Sequence, residues 1–216
     1  MTKRNTPILS ILISLMLFLG AALGGGAQYR NAARDGIEQP EKVMDATGVG
    51  PGMTIGEVGA GRGYFTFWLS ARVEESGKVY ANDIDRYALA AIERQCERDN
   101  ISNIETVLGT VEDPRFPAAA LDMVFMVNAF HDLARPVELL AKLAPALKPG
   151  ATVIIMDRDP ARGGGGSHFL SRAEVEEIVG RSVFELVRVE TFLRYHNLYI
   201  LRVRGLALFS PGFALS

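Results

Sequence analysis

The chain has 216 residues, which suits one domain of ordinary size with a short extension. Apolar residues make up 48% of it, so it can bury a substantial core, and wholesale disorder is excluded. The formal net charge is -2 and the basic residues are scattered among acids, so we predict no nucleic-acid partner.

The amino terminus carries the three parts of a secretory signal. Lys3 and Arg4 precede an apolar run over residues 8–23, and small residues follow as far as Ala27. We expect a signal peptide over residues 1–27. An uncleaved membrane anchor through the same run and a misassigned start codon are the alternatives. Because the basic residues come first, the rest of the chain is predicted to be exported, periplasmic or secreted, or else anchored outside the membrane. A misassigned start would leave it cytoplasmic.

The next segment leads into the folded part of the chain. Residues 28–39 are polar and predict a linker, and helical spacing predicts a short helix over residues 40–47 that Gly48 ends. A tight turn at Gly50-Pro51-Gly52 then begins the first strand. The folded domain is therefore predicted to span residues 40–216.

From Met53 onward, strand patterns and helix patterns alternate, which indicates a parallel, doubly wound sheet. A short polar turn near His196-Asn197 joins the last two strands, so these must run antiparallel. The prediction is an α/β fold with a seven-stranded sheet, mostly parallel, that ends in an antiparallel pair. The predicted strands are 53–58, 78–82, 104–108, 122–127, 152–156, 184–192 and 198–203, and the predicted helices are 63–72, 86–99, one from Pro136 that Pro149 stops, and one with a capping box at Ser171 and Glu174.

Cys96 is the single cysteine, which excludes an internal disulfide and a multi-cysteine zinc site. Its place in a helical pattern favours a small buried side chain over a reactive thiol. No metal site is predicted from the sequence.

Glycines stand where the first strand turns into a helix, in the stretch Glu57-Val58-Gly59-Ala60-Gly61-Arg62-Gly63. In an open α/β sheet, a nucleotide-like ligand binds at that edge, and glycine lets the backbone approach it closely. Tyr64 stands where the dinucleotide fingerprint G-x-G-x-x-G would have its third glycine, which disfavours an NAD-dependent oxidoreductase. Asp83 follows the second strand and can accept bonds from both hydroxyls of a ribose, with Asp85 as the competitor.

These features resemble the class I S-adenosylmethionine-dependent methyltransferases, over roughly residues 40–203. The resemblance rests on Glu57-x-Gly59-x-Gly61-x-Gly63, on Asp83, on segments 121–125 and 147–150, and on the antiparallel final pair. Among subgroups the chain looks most like the small-molecule methyltransferases of the ubiquinone-biosynthesis type. The resemblance implies a Rossmann-like methyltransferase fold, S-adenosylmethionine as cofactor and a small-molecule methyl acceptor.

The resemblance also implies a set of cofactor contacts. The glycine turn would pass under the methionine part, Glu57 would hold its amino group, Asp83 would hold the ribose, and Ile84 would pack on the adenine. The family often has Gly-Asp after the third strand, but here the pair is Gly109-Thr110, so Thr110 or Asp113 would contact the adenine. The full set implied for the cofactor is Glu57, Gly59, Ala60, Gly61, Gly63, Asp83, Ile84, Thr110, Asp113 and Asn128.

The segment after the fourth strand, Asn128 to Asp132, would face the methyl acceptor. His131 could act there as a general base, because the ordinary histidine pKa lies near operating pH, or it could merely cap the loop or line the pocket. Asp157-Arg158-Asp159 ends the fifth strand on the same rim and either shapes the acceptor pocket or is solvated. The glycine loop over residues 163–166, with His168 after it, is either a lid or an ordinary loop.

The expected function is methyl transfer from S-adenosylmethionine to a small molecule. The alternative is a non-catalytic exported binding or scaffold module that retains the fold. This alternative is kept because the cofactor is made in the cytoplasm, whereas the amino terminus predicts export.

Overall fold

The computed structural model describes residues 31–163 and 166–205. The predicted signal or anchor over residues 1–27 lies outside them, and none of the helices they form is both long and apolar enough to cross a membrane. The helices are α1 (Ala32–Glu38), α2 (Pro40–Thr47), α3 (Tyr64–Val73), α4 (Arg86–Asp99), α5 (Pro136–Leu143) and α6 (Arg172–Gly180). The strands are β1 (Thr54–Val58), β2 (Lys78–Asp83), β3 (Ile104–Leu108), β4 (Leu121–Val127), β5 (Leu147–Arg158), β6 (Phe184–Glu190) and β7 (His196–Val203).

The strands form a seven-stranded sheet in the order β3-β2-β1-β4-β5-β7-β6. Strands β1 to β5 pair in parallel, and β7 lies antiparallel between β5 and β6. The predicted fold class is therefore confirmed. The strand order reverses between β1 and β4, so a crevice opens at their carboxyl ends, where open α/β sheets bind ligands.

The two faces of the sheet are covered by different helices. On one face, Leu139 and Leu140 of α5 and Val175 of α6 pack against β4 and β5. On the other face, Val43 of α2 and Leu69 of α3 are buried against β1 and β4. The central strands are covered on both sides, which explains why β4 reads as a nearly continuous apolar run rather than an alternating one.

The first correction concerns residues 28–39, which the sequence predicts as a linker. Residues 32–38 form helix α1 instead, capped by the side chain of Asn31, which accepts a hydrogen bond from the backbone of Arg34. Glu38, at the end of this helix, is buried and bonds to Asn128. The folded unit thus begins at Asn31 rather than at residue 40. The polar composition of this segment does not indicate a helix, because the partners of its charged side chains, such as Tyr64 for Asp35, cannot be read from the local sequence.

The second correction concerns the last strand pair. His196 and Asn197 belong to β7 and are buried, and the connection from β6 lies before them. Buried polar groups need hydrogen-bond partners. Nε2 of His196 bonds to Asn128 and the amide of Asn197 donates to Asp159, whereas Nδ1 of His196 has no partner among the described residues. These partners lie far away in sequence, so the local pattern predicts a turn where the structure has a strand.

Two smaller differences have local causes. The helix that begins at Pro136 ends at Leu143, and a 3-10 turn at Ala144–Ala146 leads directly into β5. Pro145 lies in that turn and has no backbone N–H to continue an α-helix. Cys96 is half-buried rather than buried, and burial raises the pKa of its thiol, which disfavours a reactive thiolate. The capping box of Ser171 and Glu174 is confirmed.

Candidate cofactor and acceptor site

The glycine turn after β1 has a backbone conformation that other residues rarely adopt. Gly59, Gly61 and Gly63 have φ values of 74°, 55° and 90°. A Cβ on Gly59 would lie 2.5 Å from Cβ of Ala129, so this position has no room for a side chain. A Cβ on Gly61 would meet no described atom within 4 Å, so space above the turn is open. The turn therefore presents bare backbone to an approaching ligand.

Asp83 connects the glycine turn to the end of β2. Its Oδ2 accepts a hydrogen bond of 2.8 Å from the backbone N–H of Gly61, and its Oδ1 accepts one of 2.9 Å from that of Asp85. Asp85 instead caps α4, because its side chain accepts a bond from the backbone N–H of Tyr87. Of the two acids, the geometry favours Asp83 for the ligand site.

A cavity of about 290 Å³ lies at the crevice between β1 and β4. Five residues of the predicted set line it: Gly59, Asp83, Ile84, Thr110 and Asn128. Ile84 is 61% exposed, so its apolar side chain is open to solvent at the edge of the cavity. A flat apolar ring bound there would cover it.

The other predicted residues lie around the cavity without lining it: Glu57, Ala60, Gly61, Gly63 and Asp113. The backbone of Ala60 bonds to Asn82 and Gly63 and so holds the turn together. The carboxylate of Asp113 accepts a bond from the backbone of Arg115, and its backbone bonds to Thr110. Of the two candidates for the adenine contact, the structure therefore brings Thr110 to the cavity, while Asp113 shapes the turn behind it.

Glu57 is 2% exposed, and its Oε2 accepts a hydrogen bond of 2.5 Å from the hydroxyl of Thr66 in α3. Burial raises the pKa of Glu57 to about 8, and the bond from Thr66 only partly opposes this. The carboxyl group is therefore mainly protonated at neutral pH. A cation that reached it would favour the ionised form.

A second space, a groove of about 440 Å³, lies beside α1. Arg34 and Glu38 of α1 form one wall, and His131, Arg158 and Phe169 form the other. Asn128 lines both this groove and the 290 Å³ cavity, so the two spaces meet at that residue. The α1 wall is not predicted from the sequence, because the polar composition of residues 28–39 indicates a linker.

A chain of hydrogen bonds runs under the groove. Arg34 donates to Oε1 of Glu38 at 2.7 Å, the amide of Asn128 donates to the same oxygen at 2.9 Å, and Oδ1 of Asn128 lies 2.9 Å from Nε2 of His196. Because Oδ1 can only accept, Nε2 of His196 carries the hydrogen. Burial, and then the charge of Arg158, lower the pKa of His196 to about 4, so it is neutral.

One oxygen of this chain has no partner. Glu38 is only 3% exposed. Its Oε2 is buried and bonds to none of the described residues. Burial raises the pKa of Glu38 against the opposing bond and charge of Arg34. A buried oxygen without a donor is costly, so a donor group that reached this oxygen from the groove would be stabilising.

His131 is fixed by a buried carboxylate. Its Nδ1 lies 2.8 Å from both oxygens of Asp157, and its backbone N–H donates to Asp157 at 3.0 Å. Burial lowers the pKa of His131, but the bond and charge of Asp157 and the charge of Asp132 outweigh it, so the net direction is upward. The general-base role of His131 stays a prediction.

The run Asp157-Arg158-Asp159 is not a group of solvated loop charges. Asp157 and Asp159 are buried, and Asp159 caps the following 3-10 turn and accepts a bond from Asn197. Arg158 is the member of the run that lines the groove. Of the predicted glycine loop, Gly164 and Gly165 lie outside the described residues.

Comparison with known proteins agrees with this geometry. A family described as "Methyltransferase domain" matches residues 56–155. The tRNA (adenine(58)-N(1))-methyltransferase TrmI of Thermus thermophilus is 35% identical over 100 residues, which are 46% of this chain and 37% of that protein. The ubiquinone/menaquinone biosynthesis C-methyltransferase UbiE of Idiomarina loihiensis is 28% identical over 117 residues, which are 53% of this chain and 46% of that protein. The matches thus span less than half of either relative.

A solved structure is similar over a longer stretch. The S-adenosylmethionine-dependent methyltransferase from Aquifex aeolicus is 27% identical, with a TM-score of 0.73, and the match covers 80% of this chain and 94% of that one. The matched family model begins within β1 and ends within β5, so it contains the glycine turn, Asp83 and the switch point. In fold, site and sequence the chain is therefore similar to the class I S-adenosylmethionine-dependent methyltransferases, and its residues 56–155 match a methyltransferase domain.

Proposed function

We propose that this chain binds S-adenosylmethionine in the 290 Å³ cavity and transfers its methyl group to a small molecule held in the groove beside α1. The observation that carries the proposal is the meeting of the two spaces at Asn128. Methyl transfer needs donor and acceptor side by side, with the reacting atoms in line.

The residues of the cavity fit the cofactor. Asp83 offers a carboxylate for ribose hydroxyls, the exposed side chain of Ile84 offers an apolar surface for adenine, and Thr110 offers a hydroxyl at its edge. The open space above Gly61 suits the methionine part, which Glu57 beneath the turn would help to hold through its amino group.

The cofactor supplies a methyl group on a sulfonium, which leaves as a neutral thioether. The protein's own task is then to position the acceptor and to exclude water. In the groove, Arg158 forms no ion pair within the described residues, although its charge acts on Glu38, and Oε2 of Glu38 lacks a donor. Both groups support a small, polar acceptor that carries donors as well as acceptors.

A nucleic acid remains a competing acceptor, because one relative is named as a tRNA methyltransferase. The net charge of -2 supports the small molecule instead, since nucleic-acid binding depends on a basic surface. Transfer to tRNA in the assay below would contradict the small-molecule proposal.

The first test is binding of S-adenosylhomocysteine to the purified full chain by calorimetry. Asp83→Asn removes a charge that accepts hydrogen bonds, so we expect affinity to fall about 10- to 100-fold. Glu75→Gln makes the same change of charge at an exposed position and should leave affinity unaltered. Equal affinity in Asp83→Asn and wild type would contradict the assigned site.

The second test is transfer of labelled methyl groups to a panel of small hydroxylated, amine and carboxylate compounds, with total tRNA as a further arm. Labelling of a small compound supports the proposal. Binding of S-adenosylhomocysteine without transfer to any acceptor would favour the non-catalytic module that the sequence left as the alternative.

We also propose that the chain is exported or anchored through residues 8–23, on the strength of the sequence pattern alone. Fractionation of cells that carry the full chain, followed by sequencing of the mature amino terminus, tests this. A start at Gln28 supports cleavage, and an intact terminus in the membrane fraction supports an anchor. Recovery of the intact chain in the cytosol would contradict both.

A further inference from the structure

We propose that His131, Asp132 and His168 form a binding site for a divalent transition-metal ion such as Zn²⁺. One ligand atom from each residue can be chosen so that all three lie within 4.8 Å of one another. His131 and Asp132 stand in the 3-10 turn after β4, and His168 stands in the 3-10 turn Gly166–His168 after β5. Two short segments at the same edge of the sheet therefore supply the three side chains.

The side chains of His131, Asp132 and His168 lie close together. Nε2 of His131 lies 3.4 Å from Oδ2 of Asp132, and Nε2 of His168 lies 3.6 Å from Oδ1 of Asp132. No Lys or Arg side chain in the described part of the chain forms an ion pair with Asp132. Among the described residues, only the two imidazoles lie within ion-pair distance of the Asp132 carboxylate.

Asp157 prepares His131 for a metal. It holds Nδ1 and the backbone N–H of His131 and is itself buried, so the ring cannot turn. With the hydrogen on Nδ1, the lone pair of Nε2 points towards Asp132. A carboxylate behind a histidine in this way is the usual support of a metal-binding imidazole, because it sets the tautomer and the ring orientation.

The chemistry of the three side chains selects the kind of ion. Two imidazoles and one carboxylate suit zinc and its neighbours, whereas Mg²⁺ and Ca²⁺ prefer oxygen ligands alone. Three protein ligands leave a coordination position open, as in catalytic zinc sites. The exposed faces of Asp132 and His168 leave room for an incoming ion.

The position of the cluster suggests its use, and this step rests on the proposed function. Asp132 lines the cofactor cavity and His131 lines the acceptor groove, so the ion would stand between the two spaces. There it would bind a hydroxyl oxygen of the acceptor and favour loss of its proton to solvent. The oxygen then bonds to the methyl carbon as the carbon–sulfur bond breaks, and the electron pair stays on sulfur. The acceptor class is accordingly a hydroxylated small molecule, and His131 acts as a ligand rather than as a base.

The test of the site is titration of the metal-free, tag-free full chain with Zn²⁺ by calorimetry, with Co²⁺ absorption as a second readout. We expect one ion per chain at micromolar affinity or tighter and no binding of Mg²⁺ in the same range. Asp132→Asn and His168→Ala should each weaken Zn²⁺ binding at least tenfold, whereas Glu75→Gln should not. Asp157→Asn should weaken it about 10- to 100-fold through the ring orientation of His131.

Several results would overturn the site: no binding of Zn²⁺, binding only at millimolar concentration, or equal affinity in wild type and His168→Ala. His168 does not line the cofactor cavity, so retained S-adenosylhomocysteine affinity in His168→Ala shows that the variant is folded. A wild-type chain that binds S-adenosylhomocysteine but not Zn²⁺ would contradict the metal site alone. One that binds Zn²⁺ but not S-adenosylhomocysteine would contradict the proposed function alone.

The catalytic use of the ion has its own test. Removal of metal with a chelator should abolish methyl transfer to a hydroxylated acceptor and leave S-adenosylhomocysteine affinity unaltered, and added Zn²⁺ should restore transfer. Transfer at an unchanged rate after metal removal would contradict the catalytic use.

Discussion

At the scale of single residues, the site combines groups whose protonation and conformation are set by burial. Glu57 is held in a dry environment beneath the glycine turn, where its pKa is about 8. Gly59 is held where no side chain fits. The burial of Glu57 costs stability in the unliganded protein and becomes useful when a ligand with a cationic amino group approaches the turn. Gly59 adopts its conformation without strain, whereas any other residue there would be strained.

The buried carboxyl group of Glu57 should make the stability of the protein depend on pH. Its folded-state pKa of about 8 lies above the ordinary value of 4.5, so the unfolded chain ionises first as pH rises. This carboxyl group therefore lowers stability progressively between about pH 4.5 and pH 8, by several kcal/mol and at most about 5 kcal/mol. Glu57→Gln stays neutral, so we expect its advantage over wild type, measured by urea unfolding, to grow from pH 5 to pH 9. An advantage that does not change with pH would contradict the raised pKa.

The carboxyl group of Glu57 should also release a proton when the ligand binds. If the amino group of the ligand draws Glu57 into its ionised form, S-adenosylhomocysteine should release up to one proton per site at pH 7 and bind more tightly as pH rises towards 8. Calorimetry in two buffers of different ionisation enthalpy measures this release. In Glu57→Gln the part that depends on Glu57 should vanish. Equal proton release in both proteins would show that Glu57 does not sense the ligand.

Gly59 allows a matched comparison. Gly59→Ala places a methyl group in the left-handed region and 2.5 Å from Cβ of Ala129, whereas Gly163→Ala has the same φ of 74° with no described atom within 4 Å. The conformation alone costs about 1–2 kcal/mol. We expect Gly163→Ala to lose only that amount in urea unfolding, and Gly59→Ala to lose more and also to lose affinity for S-adenosylhomocysteine. Equal losses of stability would show that Ala129 moves aside freely.

At the scale of elements, helix α1 is the part that joins the cofactor side to the acceptor side. The hydroxyl of Tyr64 in α3 donates to Asp35 at 2.6 Å, the guanidinium of Arg34 lies 3.7 Å from the centre of the Tyr64 ring, and Glu38 bonds to Asn128. The helix has only seven residues, too few to be stable alone in water, so these contacts hold it.

Tyr64→Phe tests how α1 is held. It removes one hydrogen bond to a carboxylate, worth about 1–3 kcal/mol, so we expect backbone amides of α1 to exchange with solvent about 5- to 100-fold faster. Tyr87→Phe, at a side chain that is 78% exposed, is the control and should leave exchange in α1 unchanged. Unchanged exchange in Tyr64→Phe would show that α1 is fixed by its other contacts.

At the scale of the whole molecule, the sheet order places the crevice. The strands and helices that follow each other along the chain could be predicted, because each depends on local periodicity and on glycine or proline at its ends. The glycine turn and Asp83 could be predicted for the same reason, since they follow adjacent strands.

What the sequence does not reveal depends on contacts between distant residues. Glu38 bonds to Asn128 across 90 positions, and His196 bonds to Asn128 across 68. These hydrogen bonds allow the polar side chains of Glu38 and His196 to be buried. The Asp157–His131 pair and the approach of His168 to Asp132 are of the same kind. Composition alone predicts linker, turn or solvated loop at these positions, because it carries no information about a partner.

Two features of the whole chain predict different cellular compartments. Residues 1–27 predict export, whereas the cofactor of this family is made in the cytoplasm. The folded unit carries a fully formed glycine turn, an acid at the end of β2 and an open crevice, so its geometry gives no sign of a lost cofactor site.

A crystal structure of the full chain with S-adenosylhomocysteine would place the cofactor and the acceptor side relative to each other. We expect the ligand in the 290 Å³ cavity, with its ribose hydroxyls bonded to Asp83, its adenine on Ile84 and its sulfur directed past Asn128 towards the groove beside α1. A ligand bound elsewhere, or one whose sulfur faces away from that groove, would contradict the proposed function.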